Sequence, residues 1–122
     1  MALDISMIKS GIIKLLDEKK AENIVEIDLS QNEARLSDSC IVASGTSSRH
    51  TQAVADYIYR FLKDNKLHPI IEGTAQSGWV MIEASGIEVH LFKPELREYY
   101  DLESLLLSWK KPGEVELKKL SS

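Results

Sequence analysis

The chain has 122 residues, a net charge of -4 and one cysteine. That length suits a single domain, and 43% hydrophobic and 28% charged residues with only 6 Gly and 3 Pro exclude a disordered tail or a fibrous, low-complexity chain. Cys40 has no partner for an internal disulfide, and 19 acidic against 15 basic residues give no basic field for binding nucleic acid mainly through its phosphates. A basic protein partner, including one inside a ribonucleoprotein, fits that charge. Asp4, Lys9 and Lys14 interrupt the first apolar stretch, and nothing approaches the ~20 apolar residues of a membrane span. The expectation is a cytoplasmic protein in a reducing compartment, without targeting segment or membrane partner.

Ile5, Ile8, Ile12, Leu15 and Leu16 recur at helical spacing, so the chain opens with an amphipathic helix. Asp4 or Ser6 can cap its start, and Lys19 and Lys20 suit the negative end of its dipole. Ile24 to Leu29 is rich in β-branched residues and reads as a strand, followed by a polar turn from Ser30 to Ser37. Cys40 to Ala43 is short and apolar, the signature of a strand buried on both faces. Gly45-Thr46-Ser47-Ser48 ends it and offers three N-caps for a second helix through Val54, Tyr57, Ile58, Phe61 and Leu62. That helix stops before His68-Pro69.

Ile70 to Glu72 is a third strand and Gly73 to Gly78 a loop. Trp79–Ala84 and Ile87–Phe92 form a hairpin about Ser85-Gly86. Lys93-Pro94 opens a helical turn. Asp101 can cap a last helix through Leu102, Leu105, Leu106 and Trp109, and residues 110–122 are a polar tail on a domain of residues 1–109. The order is α-β-β-α-β-β-β-α: a small α/β domain with a mixed sheet of about five strands and flanking helices. Residues 40–71 should include a right-handed parallel strand–helix–strand crossover.

The search for chemistry starts at Gly45-Thr46-Ser47-Ser48, where helix-start amides could hold a phosphate. No Walker lysine or GxGxxG accompanies the turn, and helix capping accounts for its Ser and Thr. Nucleotidyl transfer needs a metal-holding carboxylate pair after such a turn, whereas Glu26 and Asp28 precede it and Glu83 and Glu88 lack the spacing. His50, His68 and His90 form no ligand pattern. His90 reads as a packed or hydrogen-bonded histidine and Cys40 as a small core residue. No catalytic residue, metal or cofactor is implied. Two regions have the aromatic and charged character of binding surface: Glu72-Gly73 leading to Trp79, and Pro94 to Glu103. Alternatively, Trp79, Tyr99 and Tyr100 pack the last helix onto the sheet.

Read together, several segments resemble the Iojap family, also called ribosomal silencing factors. They are Lys19-Lys20-Ala21 with Ile24 to Leu29, Ser37-Asp38-Ser39 through Arg49-His50, Glu72-Gly73 with Gly78-Trp79-Val80, Gly86 to Phe92, and Arg97-Glu98-Tyr99-Tyr100-Asp101-Leu102-Glu103. The resemblance implies a nucleotidyltransferase-like fold without catalytic carboxylates. It also implies a protein, not an enzyme, that binds ribosomal protein fourteen of the large subunit and keeps the small subunit from joining, lowering translation when nutrients are short. For organellar relatives it implies a role in ribosome assembly, and it is compatible with a homodimer; sequence-specific nucleic-acid binding is not implied. The implied partner-binding residues are Glu72, Gly73, Trp79, Arg97, Tyr100, Asp101, Leu102, Glu103 and Leu105. Departures from the family pattern are Leu106 where a Trp is usual, with Trp109 three residues later, and Ala84-Ser85 where an Asp is common. The alternatives are an assembly factor and, from another class, a nucleotide-binding enzyme using the Gly45–Ser48 turn.

Overall fold

The computed structural model describes residues 5–28 and 39–95. In chain order these form α1 (Ile5–Glu18), β1 (Glu22–Asp28), β2 (Ser39–Ser44), α2 (Ser48–Asp64), β3 (Ile70–Thr74), β4 (Trp79–Ala84) and β5 (Ile87–Phe92). The five strands make one mixed sheet in the order β1-β2-β5-β4-β3, in which β2 and β5 are parallel and the other neighbours antiparallel. The expected last helix and polar tail lie outside the described residues. Among those described, no helix is long and apolar enough to cross a membrane.

The apolar stripe of α1 (Ile8, Ile12, Leu16) and that of α2 (Val54, Ile58, Leu62) pack in one core with Ile41 and Ala43 of β2, Val80 and Ile82 of β4 and Val89 and Leu91 of β5. Strand side chains alternate between faces, so both helices cover the same side of the sheet. Cys40, Val42, Trp79, Met81, His90 and Phe92 point to the other side and are also buried. β2 and β5 are buried at every position, as the short apolar run at Cys40–Ala43 leads one to expect.

The expected crossover is only partly correct. β2 and β3 run in the same direction, but they are not neighbours: β5 lies against β2, and β4 separates β5 from β3. Burial explains the choice. Ile70, Ile71, Gly73 and Thr74 of β3 are exposed, whereas β5 is apolar enough to be covered on both faces, so β5 takes the centre and β3 the edge. β3 also runs to Thr74, so Gly73 belongs to a strand and not to the loop.

Helix ends are fixed by local chemistry. Ser47 caps α2, its hydroxyl accepting from the His50 N–H at 3.0 Å; Ser6 lies inside α1 and is not its cap. Both helices end on a lysine with positive φ, Lys20 at 66° and Lys66 at 69°. In each case the next residue donates back five positions, Ala21 to Leu16 and Leu67 to Leu62, so a lysine occupies the left-handed position that glycine usually takes. In the β4–β5 turn both Ser85 (φ 50°) and Gly86 (φ 83°) are left-handed, as a type I′ hairpin requires.

Candidate functional site

The Gly45–Ser48 turn is consumed by structure. Besides the Ser47 cap, Thr51 Oγ1 donates to the Ser47 carbonyl at 2.7 Å, and the Thr46 N–H donates to His50 Nδ1 at 2.9 Å. With Nδ1 accepting, the proton of the neutral ring sits on Nε2, which lies 2.7 Å from the Lys19 carbonyl and donates to it. His50 thus ties the start of α2 to the end of α1. A Cβ on Gly45 would fall 2.2 Å from Thr51 Oγ1 and 3.0 Å from the Thr51 backbone, so glycine is needed there for close approach. These contacts explain Gly45, Ser47, His50 and Thr51 without a phosphate.

On the side of the sheet away from the helices, β2, β4 and β5 build a buried polar chain. Trp79 Nε1 donates to His90 Nδ1 at 3.0 Å, His90 Nε2 lies 2.9 Å from Glu88 Oε1, and the Cys40 thiol lies 3.6 Å from the same oxygen. The indole nitrogen can only donate, so His90 carries its proton on Nε2 and passes it toward Glu88. Glu88 therefore accepts from two sides. Trp79 also stacks at a tilt on Phe92, with ring centroids 4.9 Å apart. Burial, reinforced by the Glu88 carboxylate, pushes the Cys40 thiol far above its ordinary pKa, the opposite of what a nucleophile needs.

Cys40, Glu88 and His90 place one donor atom each within 4.8 Å of one another, the spacing of a metal cluster. The hydrogen bonds oppose that use. A cation on Nε2 of a neutral His90 would move its proton to Nδ1, directly against the Trp79 N–H. The donor set fits a hydrogen-bonded triad and does not fit a metal centre.

Three of the residues singled out for partner binding meet at one end of the sheet. Glu72 pairs with Met81, Gly73 with Val80, and Thr74 with Trp79, so Glu72, Thr74 and Trp79 share a face. The loop before Trp79 is stitched in place: Ser77 N donates to Thr74 Oγ1 (3.1 Å), Gly78 N to the Ala75 carbonyl (3.1 Å) and Lys93 N to the Gly78 carbonyl (3.0 Å). Trp79 is only 4% exposed, Glu72 is half-buried and Gly73 exposed. Arg97, Tyr100, Asp101, Leu102, Glu103 and Leu105 lie outside the described residues. Sequence reasoning missed the Trp79–His90–Glu88–Cys40 chain, whose signal was the shared alternation of Glu88, His90 and Phe92. It also missed that Ile70 and Ile71 are exposed; only their place at the sheet edge makes them so.

Among the described residues the fold is thus a small mixed α/β domain with two helices on one side of a five-stranded sheet and a buried polar chain on the other. A family profile described as ribosomal silencing factor during starvation (RsfS) matches residues 4–122. The chain is 33% identical over 104 residues to the ribosomal silencing factor RsfS of Chromobacterium violaceum, covering 84% of each. It also resembles the crystal structure of a Chromobacterium violaceum protein, with a TM-score of 0.78 and 32% identity over 98% of this chain and 100% of that one. A mouse protein named for mitochondrial assembly of the ribosomal large subunit is 33% identical over 77% of this chain and 42% of its own length. The protein belongs to the ribosomal silencing factor family, and the resemblance seen in its sequence segments is correct.

Proposed function

We propose that this protein docks on the large ribosomal subunit at ribosomal protein fourteen and blocks joining of the small subunit, lowering translation in the cytoplasm when nutrients are short. The family match across residues 4–122 carries this reading. The mechanism needs no turnover: a docked 13.7 kDa domain occupies space that the opposing subunit requires. An interface of roughly 1,200–2,000 Å² is sufficient when a few residues are well desolvated. The contact patch comprises Glu72, Gly73 and Trp79 with Arg97, Tyr100, Asp101, Leu102, Glu103 and Leu105. Within it, the half-buried Glu72 and the exposed Gly73 form a rim, and Trp79, buried in the free chain, supports that rim through His90 and the stitched loop. The net charge of -4 favours encounter with a basic ribosomal protein. Self-association into homodimers belongs to the same reading, and sedimentation equilibrium tests it.

Sucrose-gradient sedimentation with separated subunits at fixed Mg²⁺ and salt tests the proposal. Co-migration with the large subunit and fewer joined ribosomes on adding the small one is the expected result. Binding to neither subunit overturns it. The mouse relative, named for mitochondrial assembly of the ribosomal large subunit, favours a second reading, large-subunit assembly; binding without loss of joining would support that instead.

A further inference from the structure

The charge of this protein is not evenly spread. Residues 5–21 carry four lysines against Asp17 and Glu18, and residues 45–68 carry two arginines and two lysines against Asp56 and Asp64. These stretches are α1, α2 and their ends, so the helical side of the sheet holds a net +4 while the remainder of the chain holds -8. Lys14, Lys20, Arg49, Arg60, Lys63 and Lys66 are all exposed. Among the described residues Lys9 pairs with Glu26 and Lys93 with Glu95, and none of those six cations lies within 4 Å of a described carboxylate.

The cations are organised along α2. Arg49, Ala53, Asp56, Arg60 and Lys63 follow one another at steps of three and four, the spacing of a single helical ridge, and all are exposed. Rings are interleaved with them: Tyr57 is 41% exposed with Lys19 Nζ 3.9 Å from its ring centre, and Lys63 Nζ stands 5.9 Å from that of Tyr59. The His50–Lys19 bond brings the end of α1 alongside the start of α2, so Lys19 and Lys20 border the Arg49 end of the ridge.

We propose that the α2 ridge, with the adjoining end of α1, is a contact surface for RNA backbone that reads no sequence. Cations spaced along a ridge suit regularly spaced phosphates, and the exposed Tyr57 ring beside them suits an unpaired base. The proposal deepens the ribosomal reading and rests on it for the identity of the polyanion. It also resolves a conflict in that reading, because a protein of net charge -4 is repelled by ribosomal RNA unless its charges are segregated. With the helices toward RNA, that contact is attractive whatever the sign of the net charge of the whole chain.

The test uses the full chain, a fluorescein-labelled 24-nucleotide RNA hairpin and fluorescence anisotropy between 50 and 200 mM salt. Three phosphate contacts predict an affinity that falls about 20- to 40-fold across that range. The triple variant Arg49→Glu, Arg60→Glu, Lys63→Gln, checked for an unchanged cooperative melt, should bind at least about tenfold more weakly at 50 mM salt, with a salt slope shallower by about 2. No binding by the parent chain at 50 mM salt, an unchanged slope in the variant, or tighter binding to phosphatidylserine vesicles than to RNA would each overturn the proposal. Subunit sedimentation reads the other claim separately. Subunit binding without hairpin binding sinks the RNA face and leaves the proposed function, and hairpin binding without subunit binding does the reverse.

Discussion

Trp79 hands its one polar hydrogen to His90, and His90 hands its own to Glu88, so each residue of the chain fixes the orientation of the next. Trp79→Phe keeps much of the packing on Phe92 but withdraws the indole donor from a buried nitrogen. Loss of such a partner costs about 1–3 kcal/mol, read as a lower urea midpoint with the m-value unchanged. Trp79→Ala also opens a cavity and should cost about 3–5 kcal/mol, so weakened ribosome binding by that variant must be judged against its stability. Cys40 supplies a pH test. Its thiol keeps its proton in the fold well beyond the point where the unfolded chain releases it, near pH 8.5. Folding stability from this group is therefore intact below that pH and declines above it, by about 1.4 kcal/mol per pH unit. Cys40→Ser retains a donor for Glu88 without titrating in this range, so it should flatten stability between pH 8.5 and 9.5. If the parent and variant slopes match, burial does not hold the proton on Cys40.

The elements are closed by residues of unequal fitness. Lys20 and Lys66 sit at left-handed φ, a conformation that costs a residue bearing a Cβ about 1–2 kcal/mol. Lys66→Gly should therefore raise stability by about 0.5–1 kcal/mol after the extra entropy of glycine in the unfolded chain is counted, visible as a higher thermal midpoint. Gly45→Ala goes the other way. Its methyl would meet Thr51 backbone as well as side chain, and the backbone of a capped first turn cannot yield without breaking the Ser47 bonds. Destabilisation of about 1–3 kcal/mol is expected from overpacking, measured by the same melt. Gly11 differs, because the atom its added methyl would meet is the tip of the Phe61 ring, which can turn aside.

Across the whole molecule, protection follows position in the sheet. β2 and β5 are buried on both faces and β4 almost so, whereas β3 is an exposed edge. Hydrogen exchange should be slowest for amides of β2 and β5, at rates set by global unfolding, and faster for the outward amides of β3, whatever the concentration. Equal protection of β3 and β5 would mean that the edge is covered in solution. The same partition explains how much of the fold was legible in advance. Apolar spacing marked α1 and α2, and apolar density marked β2 and β5, because burial leaves its trace in neighbouring residues. The boundary of β3 was missed because Gly73 and Thr74 carry no such trace; a partner strand, Trp79–Ala84, extends it.

The sequence by itself determined the class of the domain, α1 and α2, its hairpin and, through ordered motifs from Lys19 to Glu103, its family. These depend on local spacing and on residue types that a short stretch displays. Only the tertiary structure decided that β5 and not β3 lies beside β2, that Trp79 is bound to His90 and Glu88 inside the molecule, and that the two net-positive helices of a chain of net charge -4 lie on the same side of the sheet. Each of those joins residues far apart in the chain. Strand order is settled by competition among strands for the centre of the sheet, and a charged face exists only once two separate helices are packed side by side.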